Sequence, residues 1–299
     1  MVQATVALRV DVDTARGLDE GVPRLLALFR SMGIAASFFV TMGPDNSGRA
    51  LRRIWRPSFV AKMYRTGAWR LYGVRTVLSG TLLPARLVGA GAPALLRQIA
   101  AEGHEVAPHG FDHVRWQDRL LRFTDDEVRR DLTAASEAFT TAVGVRAEAT
   151  AAPGWRTTPG ALVIQEEFGY RYASDVRGTT PFRPCAQSGS LKTLQIPTTM
   201  PTMDELLGRV RDIPRELSAR VGPGLNMFTL HAEVEGGVLL PVFRQFLDLL
   251  RAARVELVRV RDAVDSVIRQ DVPTGSIRRE KVVGRSGWVA VQAPTVTRA

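Results

Sequence analysis

The sequence predicts an α/β protein built on a parallel sheet, either open or closed into a barrel. Apolar runs of strand length alternate with helical patterns about seven times along the chain, as in a parallel sheet covered by helices. The polar side chains that can carry chemistry follow the predicted strands, which is typical of parallel α/β folds. With 299 residues, 45% of them hydrophobic, the chain can bury a sizeable core.

Each element is predicted from its pattern and its end signals. The segment TVALRVDV is predicted as the first strand, EGVPRLLALFRSMG as a helix that ends at Gly33, and IAASFFVTMG as the next strand. Further strands are predicted at HEVAP, RAEATAAP, YRYASD, LKTLQIP, GLNMFTLHAEV and VELVRV. Further helices are predicted near residues 92–102, 125–143, 157–168, 203–219 and 238–253.

The domain organisation follows from the absence of repeats and low-complexity linkers. We predict one catalytic domain over residues 1–270, with an insertion at about 45–90. Residues 271–299 are predicted to form a basic, irregular C-terminal extension.

The predicted insertion is strongly basic. The net charge of the chain is +10, and residues 49–89 contain nine Lys or Arg residues and no acidic residue. Aromatic and aliphatic residues lie between the cations at roughly helical spacing, a pattern typical of amphipathic helices at membrane surfaces. We expect an anionic membrane surface to be contacted by Arg52, Arg53, Trp55, Arg56, Phe59, Lys62, Tyr64, Arg65, Trp69 and Arg70. A cationic surface over core aromatics and single-strand nucleic-acid binding are the alternatives. We favour the membrane and expect no nucleic-acid partner.

The compartment is predicted from the cysteine count and the N-terminus. The single cysteine, Cys185, excludes an intrachain disulfide framework. The N-terminal segment has no secretory signal pattern, and no stretch approaches the roughly 20 apolar residues of a membrane-spanning helix. We therefore expect a cytoplasmic protein that reaches the membrane surface peripherally, through the basic insertion.

Acidic and imidazole side chains stand at the ends of three predicted strands. Asp11 and Asp13 end the first strand and, because strand side chains alternate, point to the same side. His109 and His113 follow HEVAP at a spacing that places both on one face of a helical turn. His231 ends a late strand, whereas the fourth histidine, His104, is predicted to be structural.

Two imidazoles and a carboxylate suit a divalent cation at a catalytic site. We expect Asp13, His109 and His113 to be the metal ligands, with the ion being Zn, Mn, Co or Fe. Asp11 is then left as a general base and His231 as a general acid. Which of the two aspartates is base and which is ligand stays open.

These motifs resemble the polysaccharide deacetylase (NodB-homology) family, the fourth carbohydrate esterase family. The matching stretches are RVDVDT, GHEVAPHGFDH, APGW and FTLHAE, in the family's order. Two departures stand out: Val12 separates the aspartates, and TAAPGWR lacks the arginine that usually precedes the third-motif prolines to hold the base. The resemblance implies a distorted (β/α)7 barrel of the NodB-homology type, carrying a basic amphipathic insertion, with the metal at the carboxyl ends of the strands.

The resemblance also implies roles for residues in the later motifs. Arg156 is expected to replace the missing arginine or to bind substrate, and Asp175 to hold His231 in its donor state. The metal and a backbone N–H near Gly154 or Trp155 are expected to stabilise the developing oxyanion. Arg177 and Arg183, in SDVRGTTPFRP, are expected to bind phosphate, with a structural role as the alternative. Glu233 and Glu235, in HAEVEG, are expected either to recognise sugar hydroxyls or the product ammonium or to orient His231.

Within the family, the chain resembles the branch that deformylates 4-deoxy-4-formamido-L-arabinose linked to undecaprenyl phosphate. Matching strings such as GPDNSGR, HGFDHVRWQ, QIPTTMPTMDE and GRSGW run from residue 6 to 288 and include the basic insertion. This implies release of formate during aminoarabinose modification of lipid A, which confers resistance to polymyxin and cationic peptides. A metal-dependent deacetylase of another N-acylated sugar and a non-catalytic basic adaptor of membranes or nucleic acids are the alternatives.

Overall fold

The structure, a computed structural model, describes residues 3–49, 79–186, 189–269 and 271–293. The predicted membrane-surface residues, Arg52 to Arg70, lie outside the described residues. The strands are β1 (Ala4–Val12), β2 (Ser37–Val40), β3 (Glu105–Pro108), β4 (Ala149–Thr150), β5 (Tyr172–Ala173), β6 (Arg183–Ala186), β7 (Gly189–Ser190), β8 (Leu194–Gln195), β9 (Gly224–His231), β10 (Glu256–Val258), β11 (Thr274–Gly275), β12 (Ile277–Glu280) and β13 (Val289–Gln292). The helices are α1 (Val22–Met32), α2 (Pro93–Ala101), α3 (His113–Arg119), α4 (Asp125–Val143), α5 (Pro159–Glu166), α6 (Met203–Leu206), α7 (Ile213–Ser218), α8 (Leu240–Ala252) and α9 (Val260–Val267).

Seven parallel strands form a distorted barrel. One group runs β9-β1-β2-β3, with β10 also paired to the first half of β1, and the other runs β4-β5-β8; all of these pairs are parallel. Backbone hydrogen bonds close the ring at both gaps, from Ala151 N–H to the Pro108 carbonyl (3.2 Å) and from Met200 N–H to the Met227 carbonyl (3.2 Å). The predicted (β/α)7 architecture is confirmed. Its carboxyl-end rim is where the candidate residues meet.

The alternation of β1 decides which side chains enter the barrel. Val6, Leu8, Val10 and Val12 are buried in the cluster that also contains Phe29 and Phe243 of the surrounding helices. Ala7 is buried in a second cluster with Phe39, Ala107 and Met227 inside the ring. Because side chains two apart share a face, Arg9 and Asp11 follow Ala7 into the barrel.

Helix ends follow the sequence signals in most places. The predicted helix 125–143 is α4, which begins at a capping box of Thr124 and Glu127 and ends at Gly144 in the left-handed region. Helix α1 ends at Gly33, as predicted. The predicted helix 203–219 is wrong as one element: it is split into α6 and α7 by Gly208, whose φ is +72°.

The C-terminal segment is not irregular, contrary to the prediction. Strands β12 and β13 form an antiparallel hairpin, and β11 pairs with β6. Strand β13 also brackets Arg177: Arg177 N–H donates to the Ala290 carbonyl (2.9 Å) and Gln292 N–H donates to the Arg177 carbonyl (2.8 Å). The sequence gives little sign of this, because the hairpin is short, charged and paired to residues about 115 positions away.

Chain segments on either side of the predicted insertion lie side by side. Asp45 N–H donates to the Arg86 carbonyl (2.7 Å), and Val88 N–H donates to the Gly43 carbonyl (2.9 Å). The side-chain amide of Asn46 donates to Asp112 (2.7 Å), which caps α3. The chain therefore leaves the barrel before the predicted insertion, and returns to it afterwards, next to α3, the helix that begins with His113.

Candidate metal centre and active site

Asp11 and Asp13 stand at the carboxyl end of β1, as the sequence predicts. Asp11 is buried and lies opposite His231 in the β1–β9 register, so the two rim residues are neighbours across the sheet. Asp13 follows the strand and lies close to both predicted histidine ligands.

His109 and His113 meet by a different route from the predicted helical face. His109 is in the turn after β3, where Gly110 has a φ of +71°, and His113 is the first residue of α3. Asp131 of α4 holds this turn by accepting a hydrogen bond from Phe111 N–H (3.1 Å). The two imidazole rings end with their centroids 5.4 Å apart.

These three side chains converge as a metal-ligand set. The Nε2 atom of His109 is 3.4 Å from Asp13 Oδ1, and the Nε2 atom of His113 is 3.2 Å from Asp13 Oδ2. One ligand atom from each residue lies within 4.8 Å of the others. Burial raises the pKa of the Asp13 carboxyl, but the charge and hydrogen bond of His113 hold the pKa well below its ordinary value.

The hydrogen-bonding of His109 tests whether a cation fits. Its Nδ1–H donates to the Ala151 carbonyl (2.8 Å), which leaves the lone pair on Nε2. Burial lowers the pKa of His109 to about 4, so the ring is neutral at pH 7. Both His109 Nε2 and Asp13 Oδ1 are buried without a hydrogen-bond partner among the described residues. Two facing lone-pair atoms left unsatisfied in this way fit a bound divalent cation.

Arg9 holds the second aspartate in place. Its Nε donates to Asp11 Oδ1 (2.6 Å) and its Nη2 to Asp11 Oδ2 (2.7 Å), while both side chains are buried. Asp11 Oδ2 is also 3.6 Å from His109 Nε2. Asp11 is therefore oriented at the edge of the metal-ligand set without belonging to it.

His231 and Trp155 form the opposite side of the site. The indole of Trp155 meets the His231 ring edge-on, with centroids 6.2 Å apart. Trp155 is fully buried, and its Nε1–H donates to Thr198 (2.9 Å). Its own backbone N–H donates to the Ala152 carbonyl (3.2 Å), so the expected oxyanion role does not fall to that group.

Comparison with known proteins places this site in a family. The polysaccharide deacetylase profile matches residues 2–173. The chain belongs to the polysaccharide deacetylase family.

Two relatives span nearly the whole chain, and both are named probable 4-deoxy-4-formamido-L-arabinose-phosphoundecaprenol deformylase ArnD. The protein of Shewanella sediminis (strain HAW-EB3) is 37% identical over 300 residues, which is 98% of this chain and 96% of the relative. The protein of Wigglesworthia glossinidia brevipalpis is 30% identical over 282 residues, which is 92% of this chain and 98% of the relative.

Solved structures agree on the fold. A Mycobacterium smegmatis protein assigned to the polysaccharide deacetylases has a TM-score of 0.63 at 20% identity and covers 94% of this chain and 96% of its own. The PuuE allantoinase has a TM-score of 0.61 at 16% identity and covers 90% and 92%. In the part of the chain that the structure describes, no helix is both long and apolar enough to cross a bilayer.

The third-motif departure of this polysaccharide deacetylase is resolved by Arg9 rather than by Arg156. The Arg156 guanidinium donates to the Gln117 carbonyl and lies 5.4 Å from the centroid of the Trp288 ring. The arginine that binds both carboxylate oxygens of Asp11, the expected base, is Arg9. Arg9 is absent from the candidates drawn from the sequence, although its position two residues before Asp11 signals a shared face.

Asp175 does not hold His231 in this structure. Its carboxylate accepts from Ala152 N–H (2.7 Å) and from the Gln195 amide (2.8 Å), and it is fully buried. Among the described residues, no hydrogen bond joins it to His231. The sequence placed both residues correctly at strand ends, but strand periodicity does not specify which neighbour each side chain contacts.

The two arginines expected to bind phosphate are engaged elsewhere. Arg177 donates to Glu205 (2.8 Å) and to the Met200 carbonyl (2.9 Å) beside Trp155. Arg183 donates to the carbonyl of Lys192, on the strand pair β6–β7. These contacts favour the structural alternative for both.

Two glutamates after β9 are buried close to the site. Burial, together with the charge of Asp13, raises the pKa of Glu233 well above its ordinary value, and one of its oxygens has no partner among the described residues. Burial raises the pKa of Glu235 to about 8. Of the two glutamates, Glu235 contacts His231, because it accepts a hydrogen bond from the backbone N–H of His231 (2.7 Å).

His104, by contrast, is structural, as expected. Its Nδ1 accepts from Ala36 N–H (3.1 Å), and its ring packs against Phe29 and Phe38. Burial lowers the pKa of His104.

Proposed function

We propose that this chain is a metal-dependent deformylase of 4-deoxy-4-formamido-L-arabinose linked to undecaprenyl phosphate. It would release formate and the free amine during modification of lipid A with aminoarabinose, a route to polymyxin resistance. The observation that carries the proposal is the buried, unpartnered pair His109 Nε2 and Asp13 Oδ1 beside the oriented carboxylate of Asp11. The full-length similarity to relatives named for this reaction supports the choice of substrate.

The ligand set would be Asp13, His109 and His113. When bound, a divalent ion such as Zn, Mn, Co or Fe polarises the amide carbonyl and acidifies a water molecule. The tautomer of His109 is fixed by the Ala151 carbonyl, so its Nε2 lone pair is preset for the ion. Ligand preorganisation of this kind favours a single coordination geometry.

Asp11 would act as the general base. It removes a proton from the attacking water while the oxygen–carbon bond forms, and the Arg9 fork keeps both carboxylate oxygens in one orientation. Proton transfer depends on distance and alignment, so a carboxylate fixed from behind has a smaller reorganisation cost.

His231 would act as the general acid. It gives a proton to the sugar nitrogen as the carbon–nitrogen bond breaks, so that formate and an amine leave. Its position opposite Asp11 in the β1–β9 register supports this division of roles, because the two side chains lie on neighbouring strands. The edge-on contact with Trp155 and the Glu235 bond to its backbone N–H restrict its movement.

The insertion is proposed to hold the enzyme at the cytoplasmic face of the inner membrane. Each Lys or Arg near an anionic leaflet contributes about 1 kcal/mol, and residues 49–89 carry no opposing acidic residue. The described rim of this segment exposes Leu82, Leu83 and Leu87, which suits contact with lipid. Its base is bonded to the α3 cap through Asn46 and Asp112, which would bring a membrane-linked substrate close to His113.

The decisive experiment is product analysis with the formamido-arabinose lipid. Wild type, loaded with metal, should release formate, and Asp11→Asn should be slower by about 100- to 10,000-fold, the usual contribution of a general base. Acetate release from another N-acylated sugar, with none of formate, would favour a different deacetylase. No formate or acetate release by metal-loaded wild type, together with membrane binding that is unchanged in His109→Ala, would favour a non-catalytic adaptor.

A sedimentation assay tests the membrane proposal separately. The purified protein should co-sediment with vesicles of phosphatidylglycerol and phosphatidylethanolamine at low salt and be released at high salt, because surface charges are screened. The variant Arg52→Glu/Arg53→Glu/Arg56→Glu should stay in the supernatant with its activity on a soluble substrate intact. Binding that is equal for both proteins would overturn the assignment of the membrane surface.

A further inference from the structure

Three guanidinium groups surround the buried indole of Trp155. The Cζ atoms of Arg9, Arg177 and Arg285 lie 5.4, 5.1 and 4.4 Å from the ring centroid. Arg9 is neutralised by Asp11 and Arg177 by Glu205, in each case through hydrogen bonds of 2.8 Å or less. Cation–π contacts can hold three cations on one ring only if their charges are compensated.

Arg285 is bonded differently from the other two. Its closest carboxylates, Asp204 and Glu205, are 3.9 and 3.8 Å away, beyond hydrogen-bond distance. Glu205 is already bonded to Arg177, and Asp204 accepts from the Thr202 hydroxyl (2.5 Å). Among the described residues, no hydrogen bond to the Arg285 guanidinium is present, and 12% of its side chain is exposed. Its planar set of donors is therefore available to a ligand that arrives from solvent.

The next residue supplies a second available group. The hydroxyl of Ser286 is buried and has no hydrogen-bond partner among the described residues. Buried hydroxyls without a partner are uncommon, because losing the bond to water costs about 1–3 kcal/mol. Adjacent arginine and serine donors of this kind suit the oxygens of a phosphate.

The loop that carries both residues follows a tightly constrained path. Gly284 and Gly287 have φ values of +90° and +87°. A Cβ on Gly284 would lie 2.8 Å from the Glu205 backbone, and one on Gly287 would lie 2.6 Å from Arg156 Nη2. Strand β13, which follows the loop, is hydrogen-bonded to the backbone of Arg177. The path of the loop is therefore fixed by its contacts with the barrel rim.

We propose that Arg285 and Ser286 form the subsite for the phosphodiester group of the substrate. This inference rests on the proposed function and deepens it, because it names the residues that recognise the anionic link between sugar and lipid. Trp155 connects the subsite to the reaction: its ring contacts Arg285 on a face and His231 at an edge. A phosphate at Arg285 would be separated from the general acid, His231, by the Trp155 ring, as expected for a group attached to the same sugar. The subsite takes the place of Arg177, which is bonded to Glu205, and of Arg183, which donates to the Lys192 carbonyl.

The test compares two substrates that differ in the phosphate alone. One is the formamido-arabinose lipid, and the other is the neutral methyl glycoside of the same formamido sugar. For the lipid, Arg285→Gln should raise KM about 10- to 100-fold, the usual effect of losing a charge-assisted hydrogen bond, with kcat changed less than about threefold. For the methyl glycoside, kcat and KM should match wild type. An equal loss on both substrates, or no change on either, overturns the proposal.

Matched variants separate binding from folding. Arg278→Gln changes an exposed arginine of the same hairpin, paired only with Glu280 among the described residues, and should leave both substrates unaffected. Arg285→Lys keeps the charge but loses the fork, so its KM should be intermediate. Ser286→Ala removes a hydroxyl that makes no bond within the described chain, so stability should hold while KM for the lipid rises several-fold. If Arg285→Gln fails to fold, these last two variants still decide.

A binding measurement distinguishes failure of the subsite from failure of the proposed function. Monobutyl phosphate is titrated calorimetrically into wild type and Arg285→Gln, each both metal-loaded and stripped with a chelator. Binding that survives metal removal and weakens about 10-fold or more in the variant supports the subsite, even if wild type releases no formate. Binding that disappears with the metal, or is equal in both proteins, overturns it.

Discussion

Arg9 binds both carboxylate oxygens of Asp11, Nε to Oδ1 at 2.6 Å and Nη2 to Oδ2 at 2.7 Å, in a fully buried pair. The two residues are separated only by Val10 on β1, so the pair is formed within a single strand. The resemblance to the family assigns the task of holding the base to an arginine in the third motif. In this chain the first strand carries both the proposed base, Asp11, and the arginine that binds its carboxylate.

Removing the guanidinium group of Arg9 from this pair should destabilise the protein strongly. Arg9→Met leaves Asp11 buried without a partner and should lower the free energy of unfolding by about 3–5 kcal/mol. The double variant Arg9→Met/Asp11→Asn should recover a large part of that loss, because no charge is then left uncompensated. Urea unfolding of the four proteins measures the cycle. Additive effects, within about 0.5 kcal/mol, would show that the pair is not coupled.

A milder change tests the orientation of the base. Arg9→Lys keeps the charge but replaces two parallel donors with a single ammonium, so kcat should fall about 10- to 100-fold. Metal content, measured by mass spectrometry, and KM should stay near wild type, because Arg9 contacts neither the ligands nor the predicted phosphate subsite. A fall in metal content would instead place Arg9 in the support of the metal site.

Removing a metal ligand should abolish both metal and turnover. His109→Ala is expected to reduce bound metal from about one ion per chain to less than about a tenth after gel filtration, since two ligands rarely hold a divalent ion tightly. His104→Asn is the control, because His104 is also buried but its ring accepts from Ala36 N–H and packs on phenylalanines. It should lose stability and keep its metal. Equal metal loss in both variants would contradict the assignment.

Sequence patterns predicted the barrel and its rim because those features depend on local periodicity. Alternation in β1 predicted that Asp11 and Asp13 point to the same side, and the end signals of α4 predicted its bounds to the residue. The same alternation is consistent with the contact between Arg9 and Asp11, since residues two apart share a face. This contact is not predicted from the sequence, because arginine side chains are rarely buried.

Long-range contacts explain what the sequence did not reveal. Asp175 bonds to Ala152 and Gln195, on strand ends that are distant in sequence, and no local pattern selects those partners over His231. The hairpin β12–β13 and its loop reach the site only because β13 pairs with Arg177. Tertiary pairing of this kind overrides the weak propensity of a short charged segment.

Glu235 should make stability fall as the pH rises. Burial raises its folded-state pKa to about 8, whereas the unfolded carboxyl titrates near 4.5. Between these values the unfolded chain releases a proton that the folded chain retains, so the free energy of unfolding decreases with pH. The effect is on the order of a few kcal/mol across this window.

The variant Glu235→Gln removes this pH dependence and still accepts from His231 N–H. Relative to wild type it should be much more stable at about pH 8.5 than at about pH 5. Urea unfolding at the two pH values measures the difference, and Glu137→Gln, which changes an exposed glutamate, is the control. A constant difference between Glu235→Gln and wild type at both pH values would mean that Glu235 is ionised in the folded protein.

Two glycines with nearly the same backbone conformation distinguish two costs of adding a Cβ: the strain of a left-handed alanine and a steric clash in the C-terminal loop. Gly103 has a φ of +87° and open space around its missing Cβ, while Gly284 has a φ of +90° and the Glu205 backbone 2.8 Å away. Gly103→Ala should lower the free energy of unfolding by about 1 kcal/mol, the cost of a left-handed alanine. Gly284→Ala should cost at least about 2–3 kcal/mol, because a Cβ that meets backbone must displace the loop.

That displacement moves Arg285, so KM for the lipid substrate should rise in Gly284→Ala and stay constant in Gly103→Ala. Equal unfolding free energies and equal KM values in the two variants would mean that the loop path does not depend on Gly284.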